Sequence, residues 1–157
     1  MKQVPPPPVI DSARVVAYAF VHDIPYRHWG RLYAGDVLVE AVPQLAIVVN
    51  LGKDIGPMLF HCDADWHPLG TSGGDTIEQI KERAEQNYPG VHARWVDTDT
   101  TQADALAYFD ATTDAPRCSF CGKRAFEVTG MVGTSGVAIC AECVKEFHEA
   151  LGAKGEH

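Results

Sequence analysis

The sequence lacks any long hydrophobic run. No apolar stretch approaches the roughly 20 residues that a membrane-spanning helix needs. The N-terminal segment MKQVPPPPVIDSARVVAYAF carries one lysine and then four prolines, without the apolar core of a signal peptide. Hydrophobic residues make up 46% and charged residues 22% of the chain, as in soluble globular proteins. We therefore expect a cytoplasmic protein with no membrane partner.

Positive charge is scarce as well. The chain has 13 lysines and arginines against 21 aspartates and glutamates, so its formal net charge is −8. Proteins that bind DNA, RNA or anionic lipid present a basic surface to the phosphates. The charge balance therefore argues against nucleic acid as the main partner.

Catalytic motifs give little support for an enzyme. The zinc-protease motif H-E-x-x-H does not occur in the chain. The glycine-rich stretch GTSGGDT lacks the lysine of a Walker A motif and places Asp75 where a phosphate would lie. With 157 residues, the chain fits one ordinary domain, or a small domain plus a metal-stabilised module. We therefore predict a protein that is not an enzyme, and leave this question open for residues 13–110.

Cysteine is concentrated in one segment. Cys62 stands alone, and the other four form C-x2-C-x18-C-x2-C near the C-terminus. In a reduced protein such pairs favour zinc over disulfides. Two knuckles can supply four thiolates at about 2.3 Å from one zinc ion, in a closed tetrahedron with no open position for catalysis. We predict one structural Zn²⁺, with the ligands Cys118, Cys121, Cys140 and Cys143.

Composition divides the chain into four segments. Pro5 to Pro8 favour polyproline II, either as a ligand for a proline-recognising domain or as a stiff solvated arm. The segments are a proline-rich tail (1–12), an α+β domain of unknown role (13–110), a linker (111–117) and a zinc module (118–157).

The 13–110 domain is expected to be mostly an antiparallel sheet with one long helix. Apolar runs and period-2 alternation indicate strands, and Pro43 interrupts one of them. Asp75 and Glu78 have the spacing of a capping box ahead of the long helix. The predicted strands are 13–21, two segments within 37–51, 58–67 and 91–96; the predicted helices are 76–88 and 101–110.

The predicted strand 58–67 carries a possible second metal site. Its polar face would hold His61, Asp63, Asp65 and His67, and its apolar face Met58, Phe60, Cys62, Ala64 and Trp66. Alternate residues of a strand lie about 6.5–7 Å apart, too far for adjacent pairs to chelate one ion without a bend. A solvated polar face is the simpler interpretation, and a metal site is the alternative.

Residues 118–151 closely resemble the N-terminal zinc-binding domain of the ClpX unfoldase. The shared elements are the CSFCGK knuckle, Glu127-Val128 before Met131-Val132, a glycine turn, and V-x-I-C-x-E-C opening a helix. The resemblance implies a small treble-clef-like zinc fold that dimerises and docks adaptor proteins and substrates. It carries over the four cysteine ligands and suggests an apolar dimer or docking surface near Phe120, Val128, Met131, Val132, Val137, Ile139, Val144 and Phe147.

Two departures limit this resemblance. The ClpX ATPase is absent from the sequence, and Ala138 stands where the family usually has a tyrosine. The binding module is therefore transferable, and the unfoldase activity is not.

These patterns support three hypotheses for function. The first is a non-enzymatic interaction protein, a homodimer that binds ClpX or a Clp adaptor or substrate and acts as an adaptor, decoy or regulator of Clp proteolysis. The second is a small enzyme or ligand-binding domain in residues 13–110, with the zinc module as a dimer handle. Its candidate residues are His28, His61, Asp63 and His67, beside an aromatic pocket with Trp29 and Trp66. The third, a nucleic-acid-associated regulator, is opposed by the charge.

Overall fold

The computed structural model describes residues 3–154; Met1, Lys2 and residues 155–157, at the ends of the predicted tail and zinc module, lie outside the described residues. Two compact units form, residues 1–109 and residues 110–157. Antiparallel strands and α-helices occur together, so the predicted α+β class is confirmed. The boundary lies next to the predicted linker 111–117 and falls within the second helix. No helix in the described part is long and apolar enough to span a membrane.

The first unit holds most of the secondary structure. The elements are β1 (Val9–Ile10), β2 (Ala13–Phe20), β3 (Tyr33–Ala34), β4 (Val37–Leu38), β5 (Gln44–Asn50), β6 (Pro57–Cys62), β7 (Pro68–Gly73), α1 (Ile77–Asn87), β8 (Val96–Asp97) and α2 (Gln102–Thr112). The sheet has the order β1-β2-β5-β6-β7, and β8 pairs with β2; every pairing is antiparallel. A separate hairpin is formed by β3 and β4.

Both faces of this sheet are buried. On β5, Leu45 and Ile47 belong to one apolar cluster, and Ala46 and Val48 to the other. The first cluster includes the apolar face of α1 through Ile80, Ala84 and Tyr88, and the second includes Phe60, Cys62 and Trp66. Burial on two faces explains why the 13–21 and 44–50 segments are apolar throughout, as predicted for central strands.

A β-bulge in β2 exchanges its two faces. The register against β5 shifts between Val15 and Ala17. Ala13 and Val15 pack in the second cluster, whereas Ala17 and Ala19 pack in the first. One extra residue in a strand reverses the alternation that follows it. The odd-numbered residues of β2 therefore contribute side chains to both apolar clusters.

The predicted strand 58–67 is too long. β6 ends at Cys62, and residues 63–67 form a turn closed by Asp63, whose Oδ1 accepts the N–H groups of Asp65 and His67 at 2.9 Å. Trp66 takes a positive φ of 65° in this turn. The chain then returns as β7, in a glycine-rich stretch that is absent from the predicted strands. The strand propensity of this stretch does not predict β7, because the strand is specified by its pairing with β6.

The helix predicted over 76–88 forms as α1, but its cap differs from the prediction. Thr76 is the N-cap, and its Oγ1 accepts the N–H of Gln79 at 3.2 Å. The Gln79 side chain in turn accepts the N–H of Asp75 at 2.9 Å. The cap is thus one residue later than the predicted Asp75–Glu78 pair. The predicted strand 91–96 is mostly a 3₁₀ turn (Val91–Ala93), followed by the short β8.

The predicted tail is partly built into the first unit. Val9 and Ile10 form β1 against β2, and Val15 donates its N–H to the Pro8 carbonyl at 3.0 Å. The Trp66 indole N–H donates to the Val4 carbonyl at 2.8 Å. Residues 4–10 are therefore held along the domain, which disagrees with the solvated-arm interpretation.

The second unit is small and begins within the last turn of α2. It contains a 3₁₀ turn (Ala125–Glu127), the hairpin of β9 (Met131–Thr134) and β10 (Val137–Cys140), and the helix α3 (Ala141–Lys154). A Cβ on Gly133 would lie 2.4 Å from the Val137 carbonyl oxygen, so only glycine fits there. This close approach lets the two strands pair directly beside the cysteines.

Candidate metal centre

The first knuckle is a tight turn that holds Cys118 and Cys121. Gly122 donates its N–H to the Cys118 carbonyl at 2.9 Å and has a φ of 77°, a conformation that favours glycine. Cys118 donates its own N–H to the Lys123 carbonyl at 2.9 Å. These hydrogen bonds and the Gly122 conformation curve the segment around one point.

The second knuckle joins β10 to α3. Cys140 is the last residue of β10, and Cys143 lies in the first turn of α3. Ala141 donates its N–H to the Gly130 carbonyl at 2.9 Å, which links the strand end to the start of the hairpin. The hairpin thus returns the chain to the first knuckle, as the 18-residue spacing predicts.

The four sulfurs fit a tetrahedral zinc ion. The Sγ atoms of all four cysteines lie within 4.8 Å of one another. Cys118 and Cys143 are 3.7 Å apart, and so are Cys121 and Cys140. A regular tetrahedron with zinc–sulfur distances of about 2.3 Å has edges of about 3.8 Å. The chain thus forms a four-cysteine structural Zn²⁺ site, and all four predicted ligands are brought together.

The electrostatics of the cluster suit a bound cation. Backbone N–H groups, first that of Cys121, lower the pKa of Cys118 to about 6. Desolvation and the neighbouring thiols raise the pKa of Cys143 instead. Four thiolates this close repel one another, and a divalent ion offsets that repulsion. Backbone N–H groups of Cys140 and Cys143 lie 3.4 Å from the sulfurs of Cys118 and Cys140, respectively.

Polar contacts fasten the segments around the site. The Arg124 guanidinium donates to Asp110 at 2.8 and 2.5 Å and to Glu127 at 3.0 Å. Arg124 and then Arg117 hold the pKa of Asp110 well below its usual range. At the start of α3, Glu142 accepts from the N–H and hydroxyl of Thr129 at 3.1 and 2.9 Å. Hydrogen bonding from backbone N–H groups and from Thr129 lowers the pKa of Glu142 to about 2.

Some of the predicted docking residues instead form the core of this unit. Val128 is buried with the cysteines, and Met131 and Ile139 pack partly against them. The remaining members stay exposed: Phe120, Val132, Val137, Val144 and Phe147. Leu151 was not predicted from the sequence; it is 70% exposed and follows Val144 and Phe147 at helical spacing.

The fold and site define a protein with a C-terminal four-cysteine zinc finger. Residues 116–152 match the family of the ClpX C4-type zinc finger, which confirms the resemblance seen in the cysteine knuckles. Searches of curated proteins and of solved structures returned no significant match to this chain.

The second predicted metal face does not form as one face. Asp63, Asp65 and His67 lie in the exposed turn with ligand atoms within 4.8 Å of one another, and His67 Nδ1 is 3.4 Å from Asp63 Oδ2. His61 is not in this group; it lies on β6 and is only 6% exposed. The solvated-face interpretation is therefore wrong for His61, because the sheet is buried on both sides.

The other ligand-site candidates are also separated. Trp66 is buried in the second cluster, with edge contacts to Tyr18. His28 contacts the Tyr26 ring at 4.8 Å between centroids. Trp29 and His61 do come together, along the wall of one cavity in the first unit. The arginines of that cavity were not predicted from the sequence, because they come from a loop and a helix that only the fold joins.

Proposed function

We propose that this chain is a non-enzymatic protein–protein interaction protein whose zinc finger forms a homodimer and engages the Clp proteolysis machinery. Its partner in this proposal is ClpX, or an adaptor or substrate of Clp, in the cytoplasm. A Zn²⁺ bound by four thiolates has no open coordination position, which supports a structural role for the metal. The match of residues 116–152 to the ClpX finger supports the choice of partner.

The observation that carries the proposal is an exposed apolar surface on the second unit. Val144, Phe147 and Leu151 form a stripe along α3 and are 45%, 40% and 70% exposed. The Phe120 ring packs edge-on against Phe147 at 5.0 Å between centroids. Val132 and Val137 on the hairpin are also exposed. We call these six residues the finger patch.

The charge of the finger favours a protein partner over nucleic acid. Residues 118–157 contain four basic residues (Lys123, Arg124, Lys145 and Lys154) and five glutamates. A zinc ion with four thiolates adds a charge of −2. Nucleic acid would be repelled by this unit, whereas apolar side chains suit a protein surface.

Self-association would cover the finger patch with a second copy of the same chain. Burying one such side chain is worth about 1.5–3 kcal/mol, so several together can support a dimer. A two-fold interface uses the same patch on both copies and is self-complementary. The resemblance to the ClpX finger supports a dimer of this kind.

Sedimentation equilibrium on the full chain tests the dimer. We expect a dimer for the native chain and a monomer for the double variant Val144→Ser, Phe147→Ser. The matched control is Glu146→Ser, Glu149→Ser, which changes two exposed residues of the same helix. A native chain that stays monomeric at high micromolar concentration would exclude the dimer.

Binding to purified ClpX tests the partner. We expect saturable binding of the zinc-loaded chain to the ClpX hexamer, and loss of binding when the zinc domain of ClpX is removed. Unchanged binding after that removal would place the contact elsewhere on ClpX. Absence of binding to ClpX, to its adaptors and to Clp substrates would refute the Clp connection.

A further inference from the structure

A cavity of about 330 Å³ lies within the first unit, far along the chain from the zinc ligands. Its walls come from the loop 26–32, from β6 and β7, and from the C-terminal half of α1. This volume is at the small end of the range for ligand pockets, about 300–1,000 Å³. All of its lining residues belong to the first unit, so a ligand site there is independent of the proposed function of the finger.

The loop that covers the cavity is fixed in place. The Asn87 side chain, at the end of α1, donates to the carbonyls of Arg27 and Trp29 at 3.0 and 3.1 Å. Arg27 donates its N–H back to the Asn87 carbonyl at 2.8 Å. Leu32 and Val39 also pack closely on Gly70 of β7. A Cβ on Gly70 would lie 2.8 Å from a Val39 side-chain carbon and 3.1 Å from a Leu32 side-chain carbon. The cavity is therefore preformed.

His61 lines this cavity. The residue is 6% exposed, but its nitrogens are not among the fully buried, unpartnered polar atoms of the described residues, which are Arg14 Nε and Trp95 Nε1. The imidazole is therefore reached from the cavity. Desolvation lowers the pKa of His61 to about 4, so the imidazole is neutral near pH 7 and offers one donor and one acceptor. A polar atom of a bound molecule would satisfy it.

The cavity is lined by positive charge, although the chain as a whole is negative. Arg31 and Arg83 line it, and no aspartate or glutamate does. Arg83 donates to the Gly73 carbonyl through Nη1, which leaves its other N–H groups for a ligand. Arg31 takes part in none of the ion pairs found in the described part of the chain. A guanidinium group matches the geometry of a carboxylate.

The remaining walls are apolar and aromatic. They are formed by Tyr26, Trp29, Leu32 and Leu59. Trp29 is 55% exposed and Tyr26 partly buried, so flat ring surfaces are available to a ligand. We propose that this cavity binds a small, flat carboxylic acid, with its carboxylate at Arg31 and Arg83, a polar atom at His61, and its apolar body against the aromatic wall.

The test uses acids and amides of the same shape. Benzoate, 1-naphthoate and indole-3-acetate are titrated into the zinc-loaded full chain by isothermal calorimetry, each beside its neutral amide. We expect saturable binding of at least one acid, at least about tenfold tighter than its amide, because a charge-assisted hydrogen bond is lost. Shifts of the Trp29 and His61 resonances place the ligand.

Variants test whether Arg31 and Arg83 bind the carboxylate. Arg31→Gln and Arg83→Gln should each weaken binding of the acid about tenfold or more, and should leave binding of the amide unchanged. Arg27→Gln removes the same charge from the same loop without touching the cavity and is the matched control. If Arg83→Gln unfolds the sheet, Arg31→Gln alone decides. Equal affinity for acid and amide, no binding of any of the three acids, or equal effects of Arg27→Gln and Arg31→Gln would overturn the proposal.

Discussion

Two nearby residues at the end of β6, His61 and Asp63, have opposite surroundings. His61 is buried on the sheet and lines the cavity, whereas Asp63, two residues later, organises an exposed turn. The alternation of polar and apolar residues predicted one continuous face for both. That pattern cannot show where a strand ends, because the turn depends on side-chain-to-backbone hydrogen bonds from Asp63.

Burial of His61 predicts a pH dependence for the first unit. Desolvation lowers its pKa from 6.5 to about 4, so the unfolded chain binds the proton more readily. The resulting stability is present above pH 6.5 and is lost as the pH falls toward 4. We expect the free energy of unfolding to fall by about 1.4 kcal/mol per pH unit in this window. Urea titrations between pH 7 and pH 4.5, followed by tryptophan fluorescence, measure it.

The matched variants for this prediction are His61→Gln and His67→Gln. His61→Gln should flatten the slope between pH 6.5 and 4.5, because the titrating group is gone. His67 is exposed in the turn, and its replacement should leave the slope unchanged. A slope that survives His61→Gln would assign the dependence to another group.

At the scale of elements, the N-cap of α1 is Thr76 and not its neighbour Asp75. Thr76→Ala should lower the free energy of unfolding of the first unit by about 1 kcal/mol, because the N–H of Gln79 loses its acceptor. Asp75→Ala should have a smaller effect, since its side chain makes no cap hydrogen bond. Urea midpoints followed by circular dichroism compare them. A larger loss for Asp75→Ala would restore the cap predicted from the sequence.

The hairpin β9–β10 depends on one close backbone approach. In Gly133→Ala, the added Cβ would meet the Val137 carbonyl at 2.4 Å, and backbone cannot yield as a flexible side chain can. We expect a loss of about 1–3 kcal/mol from the zinc-bound second unit. Competition with a chelator of known affinity measures this as weaker zinc binding. Gly130→Ala, with nothing within 4 Å of the added Cβ, is the control and should bind zinc normally.

The elements differ in how far the sequence predicts them. β2 and β5 were predicted because both are buried on two faces and are apolar runs in the sequence. The zinc knuckles were predicted because the C-x2-C spacing by itself directs two cysteine sulfurs toward one metal ion. β7 was missed because PLGTSG has little strand propensity and is held by pairing with β6. The cavity was missed because Arg31, His61 and Arg83 come from three elements that are distant along the chain.

At the scale of the whole molecule, the two units have separate sources of stability. The first has two apolar clusters around a six-stranded sheet. The second has a small cluster consisting of three cysteines and Val128, with Met131 and Ile139 packed against it. So few apolar side chains cannot offset the entropy of ordering some forty residues, and the metal must supply the difference.

Zinc removal should therefore unfold one unit and spare the other. Structural zinc supplies on the order of 10 kcal/mol to modules of this size. Trp29, Trp66 and Trp95 all lie in the first unit, so tryptophan emission reports on that unit alone. We expect chelation, or Cys118→Ser, to abolish the dispersion of the amide resonances of residues 116–152 while the emission spectrum and urea midpoint of the tryptophans stay unchanged. Cys62→Ser, a cysteine outside the cluster, is the control and should retain one zinc per chain by elemental analysis. A tryptophan transition that moved with the zinc content would show that the two units unfold together.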